Sequence, residues 1–535
     1  MIVLGSALVV GLSALGITLA LRAQVQAQSA QRFGQEAERL ESLIFKAHSL
    51  PLHDIRPLRQ MVEMRLGHLE QDLARQGRWS QAAGRLALGR GYLALGRPET
   101  ARPHLEAAWR LAPEPDAAHA LGLALARIYQ DEVEGLHGPL RERRKAEVGQ
   151  ELRDPALELL KRARNLPLES AAYVEGMIAL VEDRPNEAQR RAREAQAQLP
   201  WFHEAWILEA EALRVEASLA LGRGDHAAAQ AALDAGGAVL VQALEIARSA
   251  PSVRLAEVQR RMLQFQLRTD QGRASLEDHA AVLAAVDQAL KTDPEHPKIL
   301  GFASAAHRRW GARQMERGED PQASLDAAIH RARQGLQQAP RDNALLNNFG
   351  TALRYRATWA MRQGRDPRPD LAQAQHALQQ ALERPRFRDF LLNNLGCCYE
   401  LQAEWEEAHG SDPTAAARKA VDCFEQASAI RPWVGHRSSQ GMTLATLARW
   451  ERRQGRDPQP TLALALNPAS FQAHLAKASV LLDRADHLKA QQRPMEPDLA
   501  AASIHLERAA TLSPQAGAEA ARLRARLQRM RSGQG

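Results

Sequence analysis

The sequence predicts an all-α protein in which a solenoid of helical hairpins follows a single N-terminal transmembrane helix. Three observations predict this fold. A turn-like segment recurs at a nearly constant spacing, the composition favours helix formers with only 4% aromatic residues, and an uncharged apolar run opens the chain. Because a stacked repeat array has no fixed size, the 535 residues do not by themselves count domains.

The apolar run Ile2–Leu21 predicts a membrane anchor. As a helix it spans about 30 Å, which matches the hydrocarbon core of a bilayer. A cleaved signal peptide is the alternative, but no Lys or Arg precedes the run and no clean small-residue cleavage site follows it. Arg22 and Arg32 follow the run and favour a cytoplasmic side for the repeats.

Pattern and composition divide the chain into an anchor, a helical juxtamembrane region, two sets of repeats and a tail. The predicted boundaries are 1–22 for the anchor, 23–76 for the juxtamembrane region, 77–250 for the N-terminal repeats, 251–530 for extended repeats of about 46 residues, and 531–535 for the tail.

The hexamer RQGRDP occurs at Arg362–Pro367 and again at Arg453–Pro458, with the related strings ERGEDP and AHGSDP at Glu316–Pro321 and Ala408–Pro413. We expect a turn between two helices, in which Gly364 takes a positive φ, Asp366 caps the next helix and Pro367 is its first residue. The equivalent glycines, spaced 46, 46, 46 and 45 residues apart, are Gly272, Gly318, Gly364, Gly410 and Gly455. The hexamer therefore recurs for backbone reasons and is not expected to be a binding site.

The segment RLALGRGYLALGRPETARPHLEAAWRLAPEP resembles a tetratricopeptide repeat, with Leu-Gly-x2-Tyr on helix A and Ala-x3-Leu on helix B. Further along the chain the same pattern carries 12 extra residues between Gly396 and Ala420, which turns a 34-residue repeat into one of 46. The residues expected to shape the hairpins are Leu88, Gly89, Tyr92, Ala101, Gly176, Ala188, Gly350, Gly396, Tyr399, Ala420, Phe424 and Pro432.

More specific strings resemble the region that follows the membrane helix in large bacterial serine/threonine protein kinases of the myxobacterial type. They include RFGQEAERLE (Arg32–Glu41), LPLHDIRP (Leu50–Pro57), LRDPALELL (Leu152–Leu160) and AAYVEGMIAL (Ala171–Leu180). The resemblance implies a kinase domain ahead of the membrane helix and repeats on the extracytoplasmic side, against the two arginines. This chain has no Gly-rich phosphate loop, VAIK, HRD or DFG motif. Either the kinase half is encoded separately, or it was lost, or the start lies too far downstream.

The leading interpretation is a membrane-anchored scaffold or sensor, not an enzyme, that binds a protein or peptide on the concave face of its repeats. Helix A carries the concave positions in such repeats. The candidate partner-binding residues are Arg90, Asn347, Thr351, Arg354, Asn393 and Glu400. Helix packing and capping is the alternative role for the asparagines in LNNFG and LNNLG. A second interpretation is the regulatory part of a membrane kinase.

Other functions have less support. The 70 Lys and Arg exceed the 63 Asp and Glu by only seven and alternate with them, so we expect solvated helix faces and no nucleic-acid binding. No motif predicts a cofactor, a metal site or an independent active site. Cys397, Cys398 and Cys423 are expected to be core residues, and a redox pair between helices A and B is the alternative.

Overall fold

The computed structural model describes residues 24, 27–28, 31–77, 80–134, 136, 138–163, 170–384, 387–431, 434–458, 461, 471–490, 492–512 and 517–532. Within these ranges the protein is helical and contains no strand, which confirms the predicted all-α class. The chain forms two compact units, one ending at Pro294 and one beginning at Glu295. The boundary predicted at residue 250 separates repeats of different length and stays a prediction.

The helices are numbered in chain order. In the first unit they are α1 (31–49), α2 (Arg56–Arg75), α3 (Gln81–Ala94), α4 (Pro98–Leu111), α5 (Pro115–Val133), α6 (Gly138–Val148), α7 (Asp154–Arg162), α8 (Ala171–Val181), α9 (Pro185–Gln198), α10 (His203–Gly222), α11 (His226–Ile246), α12 (Pro251–Asp270) and α13 (Leu276–Thr292). In the second unit they are α14 (Pro297–Glu316), α15 (Gln322–Gln338), α16 (Asn343–Arg362), α17 (Arg368–Leu382), α18 (Arg388–Ala408), α19 (Thr414–Ile430), α20 (Val434–Arg453), α21 (Phe471–Ala490), α22 (Glu496–Leu512) and α23 (Gly517–Arg531).

Small residues let the two helices of each hairpin approach closely, as the sequence predicts. A Cβ placed on Gly89 of α3 would lie 2.3 Å from Leu105 of α4, and one on Gly396 of α18 would lie 2.7 Å from Phe424 of α19. Leu105 and Phe424 are both fully buried. The predicted small and apolar positions Leu88, Ala101, Ala188 and Ala420 are buried as well, whereas Pro432 lies outside the described residues.

The extra residues of the long repeats lengthen both helices of the hairpin. Helix A has 14 residues in α3 and 20 in both α14 and α16. Helix B has 14 residues in α4 and 17 in both α15 and α19. At 1.5 Å per residue each long A helix gains about 9 Å, so the long hairpins present a taller A-helix face than the hairpin of α3 and α4.

The turn between helices A and B has the predicted conformation. Gly364 has φ of 67°, and the equivalent Gly318 and Gly410 have φ of 74° and 75°. The amide of Gly364 donates to the carbonyl of Met361 at 3.0 Å, and that of Arg365 donates to Ala360 at 2.8 Å. These bonds satisfy carbonyls at the end of α16, and the positive φ accounts for glycine at this position.

The start of helix B differs slightly from the prediction. Asp366 does cap, because its Oδ1 accepts from the amide of Arg368 at 2.9 Å, and Asp412 accepts from Thr414 in the same way. Pro367, however, precedes the helix at the cap position instead of being its first residue. The aspartate reaches the second residue beyond it, which places the helix start one residue later than predicted.

Gly350 offers a test of the hairpin packing. A Cβ there would lie 2.8 Å from Leu378 and 3.2 Å from the backbone oxygen of Ala374, whereas one on Gly301 of the same unit meets nothing closer than 3.4 Å. We expect Gly350→Ala to lower the free energy of unfolding by about 1–2 kcal/mol despite the helix-propensity gain. Gly301→Ala should raise it by up to about 1 kcal/mol. Urea unfolding of both variants checks this, and equal effects would contradict the close approach.

The N-terminal hairpin, formed by α1 and α2, packs on the first repeat through an apolar cluster. Phe33, Leu40 and Ile44 on α1 are buried against Leu66 and Leu73 on α2. Leu66 and Leu73 in turn lie against the glycines of α3, since Cβ atoms on Gly91 and Gly84 would meet them at 2.5 and 2.4 Å. What the sequence predicts as a juxtamembrane helix is thus part of the folded unit.

The predicted transmembrane segment Ile2–Leu21 lies outside the described residues. Among the described helices, α11 is long and apolar enough by composition to cross a membrane. It is helix B of a hairpin with α10, and its Ala229, Ala232 and Leu233 are buried in the core of that hairpin.

Candidate partner-binding surface

Arg90, the candidate residue of the first unit, is covered by the N-terminal hairpin. Its Nε and Nη2 donate to the carboxylate of Glu41 on α1 at 2.9 and 2.7 Å. Burial alone would lower the pKa of Arg90, but the hydrogen bonds to Glu41 outweigh burial and raise it. The sequence predicts that Arg90 binds a partner protein, whereas in the structure Arg90 pairs with Glu41 of the same chain.

The loop of the N-terminal hairpin reaches the far hairpins of the first unit. Phe45 meets Trp201 edge to face at 5.5 Å, and the amide of Ser249 donates to the carbonyl of His48 at 2.9 Å. The amide of Ile55 donates to the carbonyl of Thr292 at 2.9 Å. The end of α1 and the loop before α2 therefore join the N-terminal hairpin to the far hairpins of this unit, which ends at Pro294, just after the last contact.

The asparagine doublets on α16 and α18 form a ladder between neighbouring A helices. Asn348 donates through Nδ2 to the carbonyl of Gly301 on α14 at 3.1 Å, and Asn394 donates to Oδ1 of Asn347 at 2.8 Å. Each bond joins a residue to one 47 positions earlier. The second asparagine of each doublet therefore has a packing role. Within the described residues the side chain of Asn393 makes no hydrogen bond.

One face of helix A carries the charged candidates of the second unit. On α18 the residues Asn393, Cys397, Glu400 and Glu404 are spaced four, three and four apart, so they share one face. On α16 the equivalent residues include Thr351 and Arg354. We call this face of α14, α16 and α18 the A-face.

Thr351 is buried and donates its hydroxyl to the carbonyl of Asn347 at 2.6 Å, which satisfies it within its own helix. Arg354 lies with its guanidinium carbon 4.5 Å from the centre of the Tyr355 ring. Burial opposes its charge, but nearby Cys397 and Tyr355 outweigh burial and raise the pKa of Arg354. It remains fully charged at neutral pH.

Arg308 of α14 lies 46 residues before Arg354 on the same face and is not among the candidates predicted from the sequence. Burial, together with the charges of Arg309 and Arg354, lowers the pKa of Arg308 to about 10. Within the described residues, neither Arg308 nor Arg354 has a carboxylate within 4.0 Å. The repeat period itself was the signal that could have found Arg308, because 308, 354 and 400 are successive positions of one column.

Glu400 differs from the other buried acids. Glu209, Asp293, Asp389, Glu407 and Asp498 are at most 8% exposed, and each pairs with an arginine. Glu400 is equally buried, yet no cation lies within 4.0 Å of it among the described residues. Burial and the charge of Glu404 raise the pKa of Glu400 well above its usual value, although Arg354 opposes this.

The cysteines behave as packing residues. All three are reduced, and Cys398 and Cys423 are buried in the apolar core of the second unit. Burial raises the pKa of Cys397 to about 11 and that of the other two to about 12, so the thiols are neutral. Within the described ranges, no group of three or more His, Cys, Asp or Glu side chains could hold a metal ion.

No protein-family model and no curated protein sequence matches this chain. Solved helical-repeat structures do. The tetratricopeptide-repeat protein TTC0263 of Thermus thermophilus is 18% identical, with a TM-score of 0.26, over 51% of this chain and 98% of its own. The human IFIT1 dimer with PPP-AAAA is 16% identical, with a TM-score of 0.39, over 87% of this chain and 94% of its own. The Cut9 and Hcn1 hetero-tetramer is 13% identical, with a TM-score of 0.21, over 88% of this chain and 94% of its own. TM-scores below 0.5 support no argument about function.

The protein has a tetratricopeptide-like helical-repeat fold. That statement is limited to the fold. Of the predicted candidates, the structure brings Arg354 and Glu400 together on the A-face, whereas Arg90 lies in the first unit under α1.

Proposed function

We propose that the protein is a non-catalytic scaffold that binds a polypeptide partner on the A-face of its second unit. The observation that supports this is a set of charged side chains there that have no ion-pair partner among the described residues, namely Arg308, Arg354 and Glu400. Burying a charge without a partner costs free energy, which a bound partner carrying the opposite charge recovers.

The mixture of charges favours a polypeptide over a nucleic acid. Arg308 and Arg354 could hold phosphates, but Glu400 and Glu404 on the adjoining helix would repel a phosphodiester chain. A polypeptide can present both charges within a few residues. Nucleic-acid binding would instead show an affinity that falls steeply with salt, which makes it a distinguishable outcome.

The test is a selection of random 12-residue peptides on the immobilised full-length chain. Peptides that bind the native protein are then measured against Asn393→Trp, which fills the A-face at a half-buried side chain, and against Arg368→Gln, an exposed control at the hexamer turn. We expect at least a tenfold loss for Asn393→Trp and no change for the control. Equal binding to both variants would show that the A-face is not the site.

We further propose that Ile2–Leu21 anchors the scaffold in a membrane. In this proposal the anchored scaffold is the sensor part of a serine/threonine kinase system. The support is the apolar run and the strings shared with such kinases. Immunoblotting of host membranes with an antibody to the repeats tests this. A band near 59.0 kDa in the membrane fraction is expected for a separate anchored scaffold, and a band larger by a kinase domain for a fused sensor. A soluble fraction holding all of the protein would contradict the anchor.

A further inference from the structure

The A-face of the second unit has an ordered charge pattern, in addition to charges that have no ion-pair partner in the described part of the chain. Successive helices place Arg308, Arg354 and Glu400 in one column, with Glu404 one turn beyond Glu400. The positive charges therefore lie on α14 and α16, and the negative charges lie on α18. A ligand that crosses these helices meets an anion-binding site first and a cation-binding site next.

We propose that the partner is an extended peptide segment carrying one acidic and one basic side chain, the acidic one held by Arg308 and Arg354 and the basic one by Glu400 and Glu404. This inference rests on the proposed function and specifies the chemistry of its ligand.

The cation site is the better defined half. Glu400 is 8% exposed, and its Oε1 is buried without a hydrogen bond in the described structure. The other buried acids show that this protein satisfies such carboxylates with arginine, as Arg431 does for Asp389 at 2.8 Å and Arg453 for Glu407 at 3.0 Å. Among the described buried acids, Glu400 is therefore the one whose cation must come from a ligand.

Glu404 gives the cation site a second carboxylate. It lies four residues after Glu400 on the same helix face, and its charge disfavours the ionisation of Glu400. An arginine or lysine side chain between them would relieve both the repulsion and the burial cost. Arginine fits best, because its planar guanidinium can donate to two carboxylates at once.

The anion site is made by two neighbouring A helices. Arg308 and Arg354 repel one another, since the charge of Arg354 contributes to lowering the pKa of Arg308. A carboxylate between the two guanidinium groups would replace this repulsion with two charge-assisted hydrogen bonds. Tyr355, which lies against Arg354, adds a hydroxyl group beside the site.

The spacing of the two sites limits the peptide. Neighbouring packed helices lie 8–10 Å apart, so the midpoint of Arg308 and Arg354 is roughly 12–15 Å from Glu400. An extended chain rises about 3.3 Å per residue, which places the acidic and basic residues about four positions apart. Because the peptide crosses the helices in one direction, its acidic and basic residues must also occur in one order.

The consensus sequence of the peptides selected on the immobilised chain provides the test. We expect the peptides that bind the native full-length chain to carry one acidic and one basic residue three to five positions apart, in a single order. A synthetic consensus peptide should lose at least tenfold in affinity when the two charges exchange places. Against Glu400→Gln it should lose affinity only while its basic residue is present, and against Arg308→Gln only while its acidic residue is present.

The control is Arg368→Gln, which removes an exposed charge and should change nothing. Enriched peptides that lack the charge pair but still lose binding to Asn393→Trp would overturn this inference and leave the proposed function standing. Failure to enrich any peptide that is sensitive to Asn393→Trp would overturn both. An enriched pool of one charge sign would also overturn the inference.

Discussion

Replacing Arg59 with methionine should lower the free energy of unfolding of the first unit by about 3–5 kcal/mol. Arg59, near the start of α2, donates through Nη1 and Nη2 to the carboxylate of Asp293, which is only 1% exposed. Methionine keeps most of the side-chain volume but removes the guanidinium, so Asp293 stays buried next to an apolar group. Removing one partner of a buried ion pair is costly because the remaining charge keeps its desolvation penalty.

Hydrogen exchange measured by mass spectrometry gives the local readout. The amides of Ile55 and Ser249 donate across the contact between the N-terminal hairpin and the far hairpins, so their peptides should exchange faster in Arg59→Met. Arg56→Met is the matched control, because Arg56 pairs with Asp54 in its own loop and both side chains are about one third exposed. If the two variants exchange alike, the ion pair does not hold the hairpin in place.

Acidification from pH 7 to pH 5 should destabilise the first unit by roughly 2–4 kcal/mol through His48 and His203. Their rings lie 5.9 Å apart where α1 meets α10. Burial, followed by the charge of His203, lowers the pKa of His48 to about 4. Burial, followed by the charge of Arg127, lowers the pKa of His203 to about 4 as well.

The sign follows from the unfolded chain, in which a histidine titrates near 6.5. The unfolded state therefore binds more protons than the folded state below that value. The stability is complete above pH 6.5, and it is lost as the pH falls through 6.5 towards 4. Burial also raises the pKa of the neighbouring Glu204, so this carboxyl offers His203 less countercharge in acid.

The urea midpoint at the two pH values measures the effect, and the informative quantity is the difference between variants. The double variant His48→Gln, His203→Gln should lose much less stability between pH 7 and pH 5 than the native chain. His226→Gln, which changes an exposed histidine at the start of α11, should behave as the native chain does. A double variant with the native pH dependence would contradict the role of this pair.

Local features of the fold could be predicted from the sequence. The turn at Gly364 depends on a few adjacent residues, and the period of 46 residues shows how far each hairpin extends. The small residues at Gly89 and Gly396 indicated the closeness of the paired helices, which the structure confirms. These properties depend on contacts within one repeat, and one repeat is what a sequence pattern describes.

The N-terminal hairpin could not be placed in this way. Phe33, Ala37, Leu40 and Ile44 show the spacing of an apolar helix face, but the polar residues around them predict only a juxtamembrane helix. Nothing local indicates that this face packs on α2 or that its loop reaches Thr292. Such contacts join segments about 200 residues apart, and a repeat pattern holds no information about them.

The candidate site, too, could be predicted only where it depends on the repeat pattern. The column that contains Arg354 and Glu400 follows from the repeat period, although Arg308 was overlooked in it. Whether a given arginine is free depends on tertiary contacts, and this separates Arg354 from Arg90. The second asparagines of the doublets also required the structure, because their bonds cross to the preceding A helix.

The bridge made by the N-terminal hairpin sets an order of events during synthesis. The hairpin leaves the ribosome before its docking sites, because Ser249 is made 196 residues after His53 and Asp293 is made 234 residues after Arg59. At 5–20 residues per second this delay is roughly 10–50 s. During that time the loop around residue 50 has no docking site, and the histidines and arginine that will anchor it remain in water. The hairpin is therefore translated before its docking sites but completes its contacts after them, which makes it the part of the nascent unit most available to chaperones.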